Sequence, residues 1–206
     1  MQIIKEIAQG SPEWQALRLG KVTASRFSDV MAKGKAGAPS KTRQSYLYEL
    51  AAERITGLVQ DSYSNSYMQW GTETEPNARA FYEFEQDIAT ETVAFIMLND
   101  DVGGSPDSLV GDEGLLEIKC PKTTVQIERV LEGVFPSEYK AQVQGLLWVS
   151  GRKWCDFVSF DPRINSDKKY FKIRVERDGE YINNLEIEVT KFVEELHALV
   201  KKLGGI

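Results

Sequence analysis

The sequence predicts a single α/β domain, and three observations support this class. Helical apolar spacing dominates the first 85 residues, strand-like runs begin at about residue 92, and a last helical pattern covers residues 181–203. The chain thus begins with helices, continues with strands around a helix pair and closes with a helix. Such a combination packs as helices on a sheet. A chain of 206 residues suits one compact domain with a sizeable core, and it contains no internal repeat or linker.

Cap and turn residues define the first helices. Ser11 and Pro12 are a cap and a first-turn proline, so a helix begins there and ends near Gly20. A second, short helix is predicted over residues 23–30. The Gly, Lys and Pro content of residues 33–40 then predicts a flexible basic loop.

Two longer helices follow. Ser40 caps the first of them, Gly57 ends it, and a polar loop occupies residues 60–66. The buried face of this helix is predicted to contain Leu47, Leu50, Ala51 and Ile55. A short helical turn then leads into a helix that reaches about Glu85. Pro76 is expected in the first turn of that helix, because a proline further in would break it.

The second part of the chain alternates between strands and helices. Strands are predicted at residues 92–98, 115–120, 154–160 and 170–175. Helices are predicted at residues 124–131, 138–149 and 181–203.

Residues 103–119, GGSPDSLVGDEGLLEIK, carry the strongest chemical signal. Strand alternation puts Leu115, Glu117 and Lys119 on one face, and the turn GDEG separates this run from a short apolar run at 109–110. The resulting hairpin would bring Asp107 beside Glu117 and Lys119. Two carboxylates and an ammonium at one strand end suit a Mg²⁺-dependent hydrolase. The alternative is a solvated strand face with a weak surface ion pair.

Charge is unevenly distributed along the chain. The net charge of −6 argues against a simple basic nucleic-acid binder. Residues 1–60, however, hold nine Lys and Arg residues against five Asp and Glu, and residues 15–45 hold seven against one. This distribution fits a phosphate-binding surface beside a carboxylate metal site, and equally a solvated basic face.

Composition excludes several classes of protein. The single histidine, His197, lies in a late helical pattern on the predicted surface. The chain therefore lacks the residues that a zinc hydrolase or a histidine-based catalytic triad needs. Cys120 and Cys155 are too few for a zinc cluster. No apolar run approaches the roughly 20 residues of a membrane span, and the N-terminus lacks the apolar core of a signal peptide. We therefore expect a cytoplasmic protein with no membrane contact.

Several stretches together resemble one family. They are EWQALRLGKVTASRF, WGTETEPNAR, GGSPDSLV, LLEIKCP, YKAQVQGLLWVSGRKWCDFVSFDPR and IRVERDGEYI, in that order from residue 13 to residue 182. The chain resembles the lambda-type phage exonucleases, or YqaJ-like alkaline exonucleases, of the PD-(D/E)XK nuclease superfamily. The resemblance implies a restriction-endonuclease-like core, with a central mixed sheet flanked by helices. It also implies a single nuclease domain over 1–206, with a mainly helical DNA-end-binding part (1–90) and a strand-rich catalytic core that ends in the C-terminal helix (91–206).

The same resemblance implies an activity. The expected enzyme is a processive, Mg²⁺-dependent 5′→3′ exonuclease on the ends of linear double-stranded DNA. It would release 5′-mononucleotides and leave 3′ single-stranded tails for recombination by strand annealing. The protein is expected to form a ring-shaped homotrimer and to work with a single-strand annealing protein. The alternatives are an endonuclease or nickase of the same superfamily, and a non-catalytic DNA-end-binding recombination protein.

Metal-binding and catalytic residues follow from the matching motifs. Asp107, Glu117 and the main-chain carbonyl of Ile118 are the implied ligands of Mg²⁺, with two ions and with Mn²⁺ able to substitute. Lys119 would hold the attacking water. Gln142 would hydrogen-bond that water or a phosphate.

Glu75 is the implied additional carboxylate at the metals, although it also suits a first-turn acid that compensates a helix dipole. Glu73 is close enough to make this assignment ambiguous. Gln144, two positions after the proposed active-site glutamine on the same helix, is expected to be structural.

A pocket for the 5′-terminal phosphate is implied at Arg18, Ser25 and Ser105. The arginine guanidinium can donate two hydrogen bonds to a phosphate, and the serine hydroxyls can donate more. The alternatives are a solvated helix arginine and a capping serine. Trp14 would stack near the DNA end or else lie in the core.

Overall fold

The structure, a computed structural model, describes residues 1–34, 40–60 and 66–204. The predicted loops at 33–40 and 60–66 run through residues 35–39 and 61–65, which lie outside these ranges. The helices are α1 (Pro12–Arg18), α2 (Phe27–Met31), α3 (Lys41–Thr56), α4 (Ser66–Gln86), α5 (Thr123–Glu132), α6 (Lys140–Ser150) and α7 (Gly179–Lys202). The strands are β1 (Gln2–Ile4), β2 (Val22–Thr23), β3 (Thr90–Glu91), β4 (Phe95–Met97), β5 (Val102–Gly104), β6 (Ser108–Val110), β7 (Gly114–Lys119), β8 (Trp154–Phe160) and β9 (Tyr170–Glu176). Within the described ranges, no helix combines the length and apolarity needed to cross a membrane.

A five-stranded mixed sheet with the order β3-β6-β7-β8-β9 forms the centre of the molecule. The predicted hairpin is confirmed: β6 and β7 are antiparallel, with Ser108 opposite Leu116 and Val110 opposite Gly114. Strand β7 also runs parallel to β8. The mixed sheet flanked by helices confirms the predicted α/β class.

A second, four-stranded sheet with the order β1-β4-β5-β2 was not predicted. The strand predicted at 92–98 is confirmed over Phe95–Met97 (β4) only, and it lies in this second sheet, whereas β3 just before it lies in the five-stranded sheet. β3 pairs with β6, whereas β4 pairs with β1 and β5. The chain crosses between the sheets at residues 92–94, where the Ala94 N–H donates to the carbonyl of Ile4 at 2.8 Å. Two strands that begin within the first 23 residues thus pair with strands from residues 95–104.

Pro76 lies inside α4, which is one continuous helix from Ser66 to Gln86. The prediction that Pro76 lies in the first turn of the helix is therefore wrong. A proline inside a helix removes one N–H donor and is normally destabilising. Burial of Ala78 and Tyr82, which are 0% and 1% exposed against the sheet, outweighs this cost.

Helix α3 has the predicted ends, and its predicted buried face is confirmed at Leu50 and Ala51 and, partly buried, at Leu47. Ser40 accepts a hydrogen bond from the Thr42 N–H at 3.2 Å, and Gly57 adopts the left-handed conformation. Ile55 is 42% exposed, so its assignment to the core is wrong. Tyr46 and Glu53 complete the buried face, and the Glu53 carboxylate accepts the Gly20 N–H at 2.8 Å.

Buried side chains pack on both faces of the five-stranded sheet. Leu116 and Ile118 of β7 face a cluster that includes Tyr82 of α4. Leu115 faces the larger cluster, which contains the apolar residues of α6 and α7. Helix α6 approaches α2 closely, since a Cβ on Gly145 would lie 2.2 Å from the Phe27 ring.

Candidate active site

The Asp107 side chain lies beside the end of β7, as the hairpin predicts. Its Oδ2 atom accepts the Ile118 N–H at 2.5 Å. Asp107 immediately precedes β6, and Ser108 is paired with Leu116, so the hairpin register brings Asp107 to the level of Glu117. Local sequence alone is sufficient for this placement.

Glu117 is a buried carboxylate rather than part of a solvated face. It is 1% exposed. Its Oε1 accepts from Lys119 Nζ at 2.5 Å and from Gln142 Nε2 at 2.6 Å. Within the described residues, its Oε2 makes no hydrogen bond. Two donors therefore fix one oxygen of this carboxylate, and its other, buried oxygen is left for a ligand.

Lys119 is held by the beginning of α6 as well as by Glu117. Its ammonium lies 5.3 Å from the centroid of the Tyr139 ring. The Tyr139 hydroxyl accepts from Nη2 of the buried Arg129 at 2.8 Å. Tyr139 and Gln142 therefore approach the β7 pair from the same helix start.

Glu75 and Arg79 of α4 form the opposite wall of the site. Arg79 Nη2 donates to Glu75 Oε1 and lies 3.4 Å from the carbonyl oxygen of Asp107. These three residues line a cleft of about 220 Å³ together with Lys5, Ile7, Ala8, Gln9, Thr92 and Val93. Glu73 instead accepts from Gln69 at 2.7 Å on the exposed side of the helix. Of the two glutamates, Glu75 is the one that faces the cleft.

The site concentrates negative charge in a poorly solvated place. Burial raises the pKa of Glu75 to about 7, and the neighbouring Asp107 adds to this shift. Burial likewise raises the pKa of Glu117 to about 8 and raises the pKa of Asp107. Burial opposes the charge on Lys119, but Glu117 and Asp107 outweigh it, so the pKa of Lys119 is raised.

The donor set fits a hard divalent cation. Mg²⁺ is bound through one or two carboxylates, keeps several waters and takes substrate oxygens as its other ligands. Asp107 and Glu117 supply two such carboxylates, and the unpartnered Glu117 Oε2 is a buried acceptor with no donor from the described residues. Those residues contain no group of three or more His, Cys, Asp or Glu side chains that could hold a metal ion by themselves.

The residues of the implied phosphate pocket lie together. Arg18 donates to Ser105 Oγ at 3.4 Å, to Ser25 Oγ at 3.4 Å and to Thr23 Oγ1 at 3.5 Å. Burial lowers the pKa of Arg18. Its hydrogen-bond partners in the described chain are hydroxyls rather than carboxylates, and they are long contacts. Arg18 thus keeps its charge and its donors available for an anion.

Trp14 belongs to the wall of this pocket. Its indole N–H donates to the Ala94 carbonyl at 2.9 Å and to Ser105 Oγ at 3.1 Å. The Arg18 guanidinium stacks 4.2 Å from the centre of its ring. The ring therefore orients Arg18 and Ser105, a role between the two predicted ones.

The two sites are connected through one short segment. Ser105 accepts from Arg18 in the candidate phosphate pocket, and Asp107 lies in the candidate metal site, with only Pro106 between them. Gln9 Nε2 holds this segment by donating to the Pro106 carbonyl at 2.9 Å and to the Val93 carbonyl at 2.8 Å.

Sequence reasoning missed four residues of the site: Gln9, Thr23, Arg79 and Tyr139. Two of them had local signals. Arg79 is one helical turn after Glu75, and Thr23 is two residues before Ser25. The other two contact the site through the fold, so no local pattern indicates them. Gln144 has the predicted structural role, because it donates to the Glu176 carbonyl at 2.9 Å.

Comparisons with known proteins identify the family of the chain. The family model of the YqaJ-like viral recombinase domain matches residues 13–153. The solved structure of an alkaline exonuclease from Laribacter hongkongensis (LHK-Exo) is similar at 45% identity and a TM-score of 0.87, covering 94% of this chain and 96% of that one. The same exonuclease in complex with dAMP matches with a TM-score of 0.86 and 46% identity, over the same shares of the two chains.

More distant matches extend the comparison. A phage-related exonuclease from Haemophilus somnus shares the fold, with a TM-score of 0.69 at 20% identity over 89% of this chain and 96% of that one. The ExoD protein of Escherichia coli K12 is 28% identical over 70 residues, which are 34% of this chain and 79% of ExoD.

Proposed function

Because the chain belongs to the YqaJ-like viral recombinase family, we propose that it is a Mg²⁺-dependent 5′→3′ exonuclease acting on linear double-stranded DNA. Its similarity over 94% of its length to an alkaline exonuclease supports a nuclease. The proposal goes beyond a nuclease in three respects: the polarity, the duplex substrate and the metal. They rest on the two connected sites at Ser105 and Asp107.

The buried, half-satisfied carboxylate of Glu117 is the observation that carries the proposal. A divalent ion held by Asp107 and Glu117 would polarise the phosphodiester and make a bound water more acidic. Glu75 and the Ile118 carbonyl are the proposed further ligands, and two ions are proposed in total. Mn²⁺ is expected to replace Mg²⁺, because both accept oxygen ligands.

Lys119 and Gln142 carry the remaining chemistry. The Lys119 ammonium lies beside the buried carboxylates, where it can orient a water and offset the charge that builds on the phosphate. Gln142 fixes the plane of the Glu117 carboxylate. Such outer contacts commonly determine how well a ligand holds its metal.

The Arg18 pocket supplies the selection of a DNA end. A guanidinium stacked on Trp14 and surrounded by hydroxyls matches the charge and the donors that a terminal phosphate requires. Because Ser105 connects this pocket to Asp107, a bound 5′-phosphate would lie next to the cutting site. The product would be a 5′-mononucleotide, and the complementary strand, which is not cut, would be left as a 3′ single-stranded tail.

Digestion of end-labelled duplex tests this function directly. Linear DNA labelled at the 5′ ends should release labelled mononucleotides at once in Mg²⁺, whereas DNA labelled at the 3′ ends should release its label late. Covalently closed circles should stay intact. Cleavage of circles would indicate an endonuclease, and immediate release of the 3′ label would reverse the polarity. Binding of ends without any release of nucleotides would indicate a non-catalytic end-binding protein.

We also propose the homotrimer and the annealing-protein partner, on the resemblance to lambda-type exonucleases. Exposed apolar side chains on and after α5 provide a surface suited to protein contacts, with Leu131 80% and Val134 56% exposed. Light scattering on the purified protein tests the trimer. Co-purification with a single-strand annealing protein tests the partner.

A further inference from the structure

Arg79 holds a position that neither the metal site nor the phosphate pocket explains. It lies on α4 between the Glu75 carboxylate and the main chain of Asp107. Its side chain is 20% exposed. The same cleft is lined by Lys5 and Gln9. A cation placed here sits beside the proposed metal ligand Glu75 and competes with a metal ion for it.

The hydrogen bonds of Arg79 are incomplete. Among the described residues, its hydrogen bonds to Glu75 Oε1 and to the Asp107 carbonyl are both made through Nη2. Its Nε is buried and makes no hydrogen bond within the described residues. Buried donors in native proteins are nearly always paired, so a buried N–H without a partner beside a polar cleft is a place where a ligand acceptor can bind.

We propose that Arg79 exchanges partners during the reaction. It is held by Glu75 in the free protein, and when Glu75 turns to a divalent ion Arg79 binds the phosphate at the cut, which becomes the new 5′-phosphate of the shortened strand. This inference rests on the proposed function, because it requires that Asp107, Glu117 and Glu75 hold the ion.

Electrostatics and geometry support the exchange. A divalent ion at Glu75 neutralises the carboxylate that holds Arg79 and repels its guanidinium, so the ion pair weakens. The Nη2–H that is released and the idle Nε–H lie on the same edge of the guanidinium. Together they form a two-pronged donor, which is the arrangement that binds a phosphate bidentately.

The exchange predicts a thermodynamic coupling. If metal and nucleotide each favour the released Arg79, each must tighten the binding of the other by the same factor. A variant without the guanidinium should lose this coupling. It should also bind the metal more tightly by itself, because Glu75 no longer has a competing cation.

Calorimetric titration of the DNA-free protein tests the coupling, with dAMP as the nucleotide and Mg²⁺ as the metal at pH 9. In the parent protein, saturating Mg²⁺ should strengthen dAMP binding about 5- to 50-fold, within the usual range of coupling between sites. In Arg79→Gln the enhancement should fall below about twofold, and Mg²⁺ alone should bind several-fold more tightly. Arg79→Lys keeps the charge but loses the fork, so it should retain only a small part of the enhancement.

Two control variants distinguish Arg79 from other cationic side chains. Arg18→Gln removes the other phosphate site, and it should leave the Mg²⁺-dependent part of dAMP binding in place. Lys153→Gln removes one positive charge from an exposed side chain near the opposite end of β7, and it should change nothing.

The outcomes separate the two proposals. If the parent protein binds no Mg²⁺, or if Asp107→Asn binds it equally well, the proposed metal-dependent function fails and the exchange fails with it. If Mg²⁺ binds but the coupling survives in Arg79→Gln, or disappears only in Arg18→Gln, the exchange alone is wrong. Circular dichroism verifies the fold of each variant, and Arg79→Lys carries the test if Arg79→Gln does not fold.

Discussion

Gln142 and Lys119 donate to the same oxygen of Glu117, at 2.6 Å and 2.5 Å. Glu117 Oε2 consequently has no partner within the described residues. This arrangement sets the direction of the buried carboxylate, because both donors pull on one oxygen and leave the other for a ligand.

Replacing Gln142 by leucine should weaken catalysis without abolishing it. The Glu117 plane loses one of its two donors, and contacts that orient metal ligands are typically worth about 10- to 100-fold in metal affinity or activity. Steady-state digestion of linear duplex at several Mg²⁺ concentrations measures the effect, which excess metal should partly correct. Gln44→Ala, which removes a surface amide on α3, is the control and should behave like the parent. An unchanged metal requirement in Gln142→Leu would contradict the orienting role.

Lys119→Ala should lose about 10²- to 10⁴-fold in the rate of nucleotide release, the usual loss when a positioned proton-transfer or charge-stabilising group is removed. Asp107→Ala should lose at least as much, because it removes a proposed metal ligand. Release of acid-soluble label from duplex DNA measures both rates, and thermal melts show whether each variant is folded. Full activity in either folded variant would exclude the proposed site.

The Arg18 pocket should make the enzyme prefer 5′-phosphorylated ends. A charge-assisted hydrogen bond contributes about 1.5–3 kcal/mol, so removing Arg18 should slow initiation on phosphorylated ends about 10- to 100-fold. Arg18→Ala should cut 5′-phosphate and 5′-hydroxyl ends at similar rates. The ratio of initiation rates on the two substrates is the measurement. If the parent protein shows no preference, the pocket does not bind the terminal phosphate.

Metal binding should strengthen as the pH rises. The pKa of Glu75 is raised to about 7 and that of Glu117 to about 8, so protons occupy these carboxyls at neutral pH and compete with the metal. Below these values, Mg²⁺ affinity should rise about tenfold per pH unit for each proton displaced, and it should level off above about pH 8.

Calorimetry at pH 7 in two buffers of different ionisation enthalpy counts the protons released by each metal ion. The count should be above zero at pH 7 and near zero at pH 9. Equal affinity at pH 6 and pH 9 would show that these carboxyls do not bind the metal.

Gly145→Ala should destabilise the fold, because the new Cβ would lie 2.2 Å from the Phe27 ring. Overpacking of this kind typically costs about 1–3 kcal/mol of unfolding free energy. Gly71→Ala is the matched control in a helix, since a Cβ there meets nothing within 4 Å. It should stabilise the protein by up to about 1 kcal/mol through helix propensity. Urea denaturation of both variants measures the difference, and equal midpoints would contradict the close approach of α2 and α6.

The parts of the fold that sequence predicted are those with local causes. Alternation and the GDEG turn determine the hairpin that brings Asp107 to Glu117, and caps at Ser11 and Ser40 mark two helix starts. β1 and β2 have only three and two residues, too few to show a period, and their partners lie about 80 to 100 residues away. Such strands depend on tertiary pairing rather than on their own sequence.

The same distinction applies to the site. Asp107, Glu117 and Lys119 lie within 13 residues and could be found together. Arg79 contacts the Asp107 main chain from 28 residues away, through a helix that continues past Pro76 although local rules predict a break there. Only the packing of the whole domain explains that contact.

The single proline between Ser105 and Asp107 has one more consequence. Two residues of chain span at most about 7 Å, and the fixed backbone angle of Pro106 together with the hydrogen bond from Gln9 limits how far this span can vary. Under the proposed function, the distance from an anchored strand end to the bond that is cut is therefore set by the enzyme's own backbone. The segment would act as a ruler, so every cut would remove the same length of strand whatever the base.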